Sequence, residues 1–140
     1  VCISSINYFS KKRAQTIIED THKTLKKGGV ARFATQDLES IAQKYVNKDG
    51  EFFFQKLPDG RQRFKGETAC DMLNSWVYGG YQTAGNKYCK YFYDYETLAL
   101  MFKKAGFENV QKKKFRESIL AEVDQIDNRP EQMFFLEAVK

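Results

Sequence analysis

Two aspartates stand where a carboxylate could act as a general base. Asp37 directly follows the strand-like segment 30–34, and Asp94 opens a stretch of helical spacing. A carboxylate in such a place can orient an acceptor or take a proton from it. Each could equally cap the helix after it, because an N-terminal side-chain oxygen accepts a backbone N–H. Both interpretations stay open, so no catalytic residue is assigned.

Other polar and aromatic side chains could bind a substrate. Arg116 and Ser118 follow a strand-like segment and could bind an anionic or hydroxylated group, or lie in a surface loop. Asn74 and Trp76 fall in a segment of helical spacing, where they could face a pocket or pack in a core. Tyr93 ends a polar loop rich in tyrosine and is a further candidate.

Metal and nucleic-acid sites are not favoured by the composition. The three cysteines are far apart and form no Cys-x-x-Cys motif, which predicts no zinc site and suits a reducing cytoplasm. His22, the sole histidine, lies beside the apolar face of a helix and is expected to be structural. The net charge of +5 is scattered, which favours a solvated surface over a nucleic-acid stripe. No apolar run approaches the roughly 18 residues of a membrane span.

The elements that position these residues begin with a βαβ unit. The 140 residues and 15% aromatic content predict a single globular unit, residues 1–140. Residues 1–5 read as a strand, Ser10 as an N-cap for a helix over 11–26, and residues 30–34 as the next strand. Gly28 is expected at the left-handed position that ends the helix. Two parallel strands joined in this way require a right-handed crossover.

The second half of the sequence predicts an insertion followed by the rest of the sheet. Helices are expected over residues 38–46, over 67–78 up to Gly79-Gly80, and from Asp94 to Gly106. A hairpin or an irregular segment is expected between residues 46 and 65, and strands over 107–115 and 133–139. The aromatic-rich residues 46–93 form a candidate lid, since long insertions are usually functional or disordered.

Five short segments, in order, form a recognisable series. The first is Leu-Lys-Lys-Gly-Gly at residues 25–29 with the strand and Asp-Leu-Glu that follow. The later ones are Tyr-Asp-Tyr-Glu-Thr-Leu at 93–98, Lys-Ala-Gly-Phe at 104–107, Arg-Glu-Ser at 116–118 and Phe-Leu-Glu-Ala-Val-Lys at 135–140. Together these segments resemble class I S-adenosylmethionine-dependent methyltransferases of the type-11-like group.

The resemblance covers only the second half of that fold. It implies a Rossmann-like sheet whose strands four to seven lie in this chain, with the last strand antiparallel and inserted between its two predecessors. Neither Gly28-Gly29 nor Gly79-Gly80 forms the family's glycine-rich cofactor loop, which would lie upstream. The chain also begins within a strand-like run at Val1, so we expect an N-terminal part of the domain to precede it.

The function implied by the resemblance is methyl transfer from S-adenosylmethionine to a small molecule or glycoconjugate. The cofactor would be faced by the end of the fourth strand, at Ser4, Ser5, Ile6 and Asn7, because ligands bind beyond the carboxyl ends of parallel strands. Asp37 would lie at the pocket rim. The alternatives are a non-catalytic methyltransferase-like binding or scaffold domain and, third, a basic nucleic-acid module. The acceptor and the oligomeric state stay open.

Overall fold

The computed structural model describes residues 1–78 and 88–140, which fall into two compact units. One unit comprises Val1–Leu38 with Lys90–Lys140, and the other comprises Glu39–Cys89. The expected insertion, residues 46–93, overlaps the second unit. The expected helix end at Gly79-Gly80 and most of the tyrosine-rich loop lie outside the described residues.

The described residues form a mixed α/β structure, the fold class that the alternation of strand-like and helical patterns predicts. In chain order the elements are β1 (Cys2–Ile3), a 3-10 turn (Ile6–Tyr8), α1 (Lys11–Thr24), β2 (Val30–Gln36), α2 (Leu38–Val46), α3 (Gly50–Phe53), α4 (Ala69–Val77), α5 (Tyr95–Lys104), β3 (Glu108–Lys113), α6 (Val123–Ile126) and β4 (Met133–Val139).

The first unit is built on an open four-stranded sheet within the described residues, in the order β1-β2-β4-β3. β1 runs parallel to β2, whereas β4 runs antiparallel to both β2 and β3. The last strand therefore lies between its two predecessors, as expected. The carboxyl ends of β1, β2 and β3 consequently share one edge of the sheet with the amino end of β4.

One face of this sheet packs against α1 and α5. Phe33 of β2 and Leu136 of β4 share a buried cluster with Ile18 of α1 and Phe102 of α5. The Phe33 and Phe102 rings meet edge to face at 4.9 Å between centroids, an arrangement that aromatic pairs favour. Because strand side chains alternate between faces, the neighbours of Phe33 along β2 point away from these helices.

The opposite face carries a smaller apolar cluster and several buried charges. Ala34, Met133 and Phe135 pack there with Phe115, which follows β3. The same alternation places Arg32 on this face. Segment 114–132, which contains α6, supplies the groups that cover it.

The helix starts follow from the predicted caps. The Ser10 hydroxyl accepts the Arg13 N–H at 3.3 Å, and the Asp94 carboxylate accepts the Thr97 N–H at 2.8 Å. Both caps stabilise the first turn by satisfying a backbone donor that has no partner within the helix.

The end of α1 differs from the prediction. The helix stops at Thr24 with Leu25 extended, so Gly28 lies in the following turn and not at the helix end. Gly28 does adopt a left-handed conformation (φ +76°), and its N–H donates to the Lys140 carbonyl at 2.7 Å. The glycine therefore serves the entry to β2, where it ties that strand's start to the end of β4.

His22 has the structural role expected of it. Its ring packs edge to face on Phe107, with centroids 4.9 Å apart. Gly106 terminates α5 with φ +95°, and a Cβ there would lie 3.2 Å from the His22 ring. The backbone conformation favours glycine at this position, and a Cβ there would also crowd the His22 ring.

The second unit has its own aromatic core. Phe52, Phe53, Phe64 and Met72 are buried together, with Trp76 packed against them. Thr68 starts α4 with a reciprocal capping box to Asp71, whose pKa is held below its usual value by the hydrogen bonds from Thr68.

The expected hairpin or irregular segment is present only in part. Lys56 and Gln62 form an isolated antiparallel bridge around the Pro58-Asp59-Gly60 turn. The phenylalanine run before it forms α3, a single helical turn that Asp49 caps at the Phe52 N–H. An N-terminal cap and a buried Phe52-Phe53 pair explain the helical turn, which strand propensity alone does not predict.

Candidate functional site

The chain turns abruptly at the carboxyl end of β1, at the edge of the sheet where the parallel strands end. The Ser4 N–H still bonds to the Ala34 carbonyl at 2.8 Å, as in a parallel ladder. Ser4 itself has φ +56°, which is uncommon for a residue with a side chain. The Ser5 hydroxyl donates to the Ile3 carbonyl at 3.1 Å. This turn delivers the next two residues, Ile6 and Asn7, into the interior.

Asn7 is the unusual residue of this edge. Its side chain is 1% exposed, and its Oδ1 atom has no hydrogen-bond partner in the part of the chain that the structure describes. Its main-chain carbonyl, by contrast, accepts the N–H groups of Lys90 and Tyr91 at 2.8 and 3.3 Å. Buried side-chain oxygens are usually bonded, so Oδ1 marks a place where a ligand group or a water could bind.

Asp37 follows β2 at the same edge. Its N–H donates to the Gln132 carbonyl at 2.9 Å, and it forms a parallel bridge with Tyr93. The residue is 9% exposed, and Oδ2 lies 3.7 Å from Nζ of Lys112 on β3. The end of β2 therefore holds a nearly buried carboxylate beside a cation.

Tyr93 and Asp94 lead from this bridge into α5. Tyr93 is fully buried in the main core, and its ring lies 4.8 Å from that of Tyr91. Its carbonyl accepts the Leu38 N–H at 3.0 Å. The hydrogen bonds from Thr97 lower the pKa of the Asp94 carboxyl below its usual value. A carboxylate in this state is a good cap, whereas a general base near neutral pH needs a higher pKa.

Arg116 and Ser118 belong to a different arrangement, on the sheet face that α1 and α5 leave open. Arg116 has φ +60°, and its N–H donates to Asp127 Oδ2 at 2.8 Å. The Ser118 hydroxyl donates to Oε2 of Glu137. The Ser118 side chain and the Arg116 main chain are thus bonded to buried carboxylates of the protein itself. The Arg116 side chain is half-exposed, and its Nε lies 3.7 Å from Oδ1 of the exposed Asp124.

Arg32 is the centre of that arrangement. It is fully buried, and its guanidinium makes two hydrogen bonds to Asp127, at 2.8 and 2.5 Å, and one to Glu137 at 3.2 Å. The Glu117 and Lys114 carbonyls accept further bonds at 3.0 and 3.4 Å. Burial lowers the pKa of Arg32, but the hydrogen bonds and charges of the two carboxylates outweigh it, so its pKa lies above its usual value.

Sequence reasoning missed this cluster because its members are 95 and 105 positions apart in the chain. A signal for it did exist. Arg32 interrupts one apolar strand and Glu137 interrupts another, and the two lie directly opposite each other across β2 and β4. Opposite charges in two buried strands indicate an ion pair, because an unpaired buried charge is very costly.

Asn74 and Trp76 lie in the second unit and have partners within it. The Asn74 amide donates to the Cys70 carbonyl at 2.9 Å along α4. The Trp76 ring lies 5.7 Å from Phe52 and 5.5 Å from Phe64, measured between centroids. Trp76 therefore contributes to this unit's core.

The structure thus places residues 4–7 and Asp37 at one edge of the sheet. Tyr93 and Asp94 lie beside them, through the bridge between Asp37 and Tyr93. Among residues 1–78 and 88–140, no cluster of three or more His, Cys, Asp or Glu side chains could hold a metal ion. No described helix has the length and apolar character to cross a bilayer.

Comparisons with protein-family models, with curated proteins and with solved structures found no match to this chain.

Proposed function

We propose that this chain supplies the carboxyl-terminal half of a domain that transfers a methyl group from S-adenosylmethionine to a small-molecule or glycoconjugate acceptor. The observation that carries the proposal is the strand order β1-β2-β4-β3, with the last strand antiparallel and inserted. That order is the one implied by the resemblance to class I methyltransferases. The five sequence motifs, found in the family's order, support the same assignment.

The end of β1 fits one side of such a cofactor. Asn7 offers a buried side-chain oxygen, Oδ1, that lacks a partner in the described part of the chain. Ser4 and Ser5 are small, so a ligand could approach the main chain closely at the turn. The proposal assigns the glycine-rich loop that would complete the pocket to sequence outside these 140 residues.

When bound, S-adenosylmethionine supplies an electrophilic methyl group. Asn7 would hold its adenosyl or methionyl part by hydrogen bonding, together with Ser4, Ser5 and Ile6. Asp37 would orient the hydroxyl or amine of the acceptor and accept its proton. Methyl transfer depends mainly on positioning and on the exclusion of water, so it requires no further catalytic motif.

Calorimetry with S-adenosylmethionine and S-adenosylhomocysteine tests the proposal. A full-length protein that carries the upstream half is expected to bind both, and the 140-residue chain alone to bind weakly or not at all. Absence of binding by the full-length protein overturns the methyltransferase assignment. Micromolar binding by the 140-residue chain contradicts the view that half of the pocket lies elsewhere.

The Asn7 side chain provides a sharper test within the full-length protein. Asn7→Leu preserves approximate volume but removes the polar atoms, so we expect binding of S-adenosylhomocysteine to weaken by about tenfold or more, the worth of one buried hydrogen bond. Asn47→Ala, at an exposed position of the second unit, is the matched control and should leave the affinity unchanged. Equal affinities for both variants would remove Asn7 from the cofactor site.

A non-catalytic scaffold domain is the competing function, and one observation favours it. Ser118 and Asp94 already have partners inside the protein, so their side chains serve the fold. The same calorimetry distinguishes the two functions, because a scaffold that has lost the cofactor binds neither compound in its full-length form.

A further inference from the structure

A groove runs between α1 and α5 on the outer side of the first unit. Its volume is about 680 Å³, and Lys11, Lys12, Glu19, Leu100 and Lys104 are among the residues that line it. Met101 is buried beneath, where its carbonyl accepts the Gln15 amide at 3.3 Å. The hydrogen bond holds the two helices together under the groove.

The charges around this groove are unbalanced. Lys12 and Lys104 form no ion pair with an acidic side chain of the described residues. Lys11 is partly engaged, because its Nζ lies 5.3 Å from the Tyr91 ring centroid and its charge adds to the Thr97 hydrogen bonds that lower the pKa of Asp94. The first turn of α1 carries three consecutive cations, Lys11, Lys12 and Arg13, and no acidic residue. The amino end of a helix is the positive end of its dipole, so cations there destabilise the isolated helix.

An apolar side chain lies among these cations. Leu100 projects from α5 with 52% of its surface exposed, although the rest of that helix buries its large apolar residues Leu98, Met101 and Phe102. A half-exposed leucine in a groove that is also lined by three lysines resembles a protein-binding patch, where an apolar anchor lies within a polar rim.

We infer that this groove docks an acidic amphipathic helix of a partner protein. Carboxylates of the partner would pair with Lys12 and Lys104, and one of its apolar side chains would pack on Leu100. One feature favours a peptide over a nucleic acid. Aromatic side chains on which bases could stack are missing from the groove lining among the described residues. The inference does not depend on the proposed methyltransferase function.

The test uses the 140-residue chain and a labelled helical peptide of alanine, leucine and glutamate, with leucines along one face and glutamates beside them. Fluorescence anisotropy is expected to show binding that weakens as salt rises, because the contacts are largely ionic. A peptide with glutamine in place of glutamate, and one with alanine in place of leucine, should each bind at least about tenfold more weakly.

Two double variants of equal net charge locate the site. Lys12→Glu with Lys104→Glu should weaken binding by about tenfold or more, whereas Lys26→Glu with Lys27→Glu, remote from the groove, should have little effect. Leu100→Ser should weaken it as well, with circular dichroism to verify that each variant is folded. Equal losses in both double variants would mean attraction by net charge alone, which overturns the proposal.

Three further outcomes also overturn it. The first is absence of peptide binding, and the second is tighter binding of a short single-stranded RNA with the same dependence on Lys12 and Lys104. The third is a concentration-dependent dimer in sedimentation that Leu100→Ser abolishes, since the groove would then bind a second copy of this chain.

Discussion

The first unit contains two groups of buried polar residues, and they differ in how completely they are bonded. Around Arg32, the guanidinium, both carboxylates and the Ser118 hydroxyl all have partners inside the protein. At the end of β1, the side-chain oxygen Oδ1 of Asn7 has none among the described residues. Both groups contact the same sheet, one through Arg32 and Glu137 within it and the other at the end of β1.

This difference in hydrogen bonding indicates that the Arg32 network stabilises the fold, whereas the end of β1 is a candidate binding site. A fully bonded network fixes a unique arrangement, and here it fastens segment 114–127 to the sheet through Arg32 and Asp127. An incompletely bonded buried group is costly, so a ligand group or a water is expected to bind to it. Stability measurements should therefore give opposite results at the two places.

The largest effect is expected from Arg32→Met. It leaves Asp127 and Glu137 buried without their cation, so we expect the free energy of unfolding to fall by about 3–5 kcal/mol. Urea denaturation followed by circular dichroism measures this loss. Lys23→Met, which removes an exposed ion pair to Asp20, is the control and should cause no measurable change. A loss as small as that of the control would show that the Arg32 network is not an essential part of the architecture.

Removing one carboxylate should cost less. Glu137→Gln keeps the shape but weakens the bonds from Arg32, Ser118 and Ile119, so a loss of about 1–3 kcal/mol is expected in the same assay. Replacing Arg32, Asp127 and Glu137 together by apolar residues should recover much of the loss, since buried ion networks are often no more stable than apolar cores. If the triple variant is no more stable than Arg32→Met, the hydrogen bonds that Arg32 and Asp127 make to segment 114–127 matter more than the buried charge.

A smaller effect is expected beside the candidate site, at Asp94. Asp94→Ala removes the α5 cap and should lower stability by about 1 kcal/mol, whereas Asp94→Asn should retain most of it. The lowered pKa of Asp94 means that the ionised cap stabilises the protein above the ordinary aspartate pKa. That contribution is lost as pH falls through the lowered pKa.

The pH dependence of the cap can be checked directly. The stability difference between the wild type and Asp94→Asn should narrow in acid, as measured by thermal unfolding between neutral pH and about pH 3. A difference that stays constant would show that the carboxylate charge contributes nothing to the cap. Asp94 would then be better explained by a role in the site.

The sequence predicted those parts of the fold that local rules determine. Ser10 and Asp94 are standard caps, and the periodicity that includes Ile18 and Phe102 identifies buried helix faces. The sequence therefore predicts bounds for α1 and α5 that are close to those observed. The strand order came from the resemblance, because pairing between residues as distant as Arg32 and Glu137 is not a local property. The Phe52-Phe53 turn was missed since packing and a cap outweighed the preference of phenylalanine for strands.

The candidate site was predictable in position but not in chemistry. Parallel strands bring residues 4–7 and Asp37 to one edge, which the sequence pattern and the rule for ligand sites suffice to predict. The hydrogen-bond partners of these residues come from distant parts of the chain, so the sequence does not show which side chains have partners. Asn7 binds Lys90 and Tyr91 through its main chain, 83 and 84 positions onward, and only the fold shows that its side-chain oxygen is left over.

The smallest expected effect, opposite in sign to the others, is at Asn7. Asn7→Leu replaces a buried amide by an apolar group of similar size, so the free energy of unfolding should stay equal or rise by about 1 kcal/mol, because a group without a partner no longer has to be kept from water. Chemical denaturation of the 140-residue chain measures it, with Asn47→Ala as the neutral reference. A loss comparable to that of Glu137→Gln would mean that the Asn7 side chain is bonded as fully as the Arg32 network, and the contrast between the two groups would no longer hold. A gain in stability together with loss of cofactor binding in the full-length protein would identify Asn7 as a residue maintained for binding at the expense of stability.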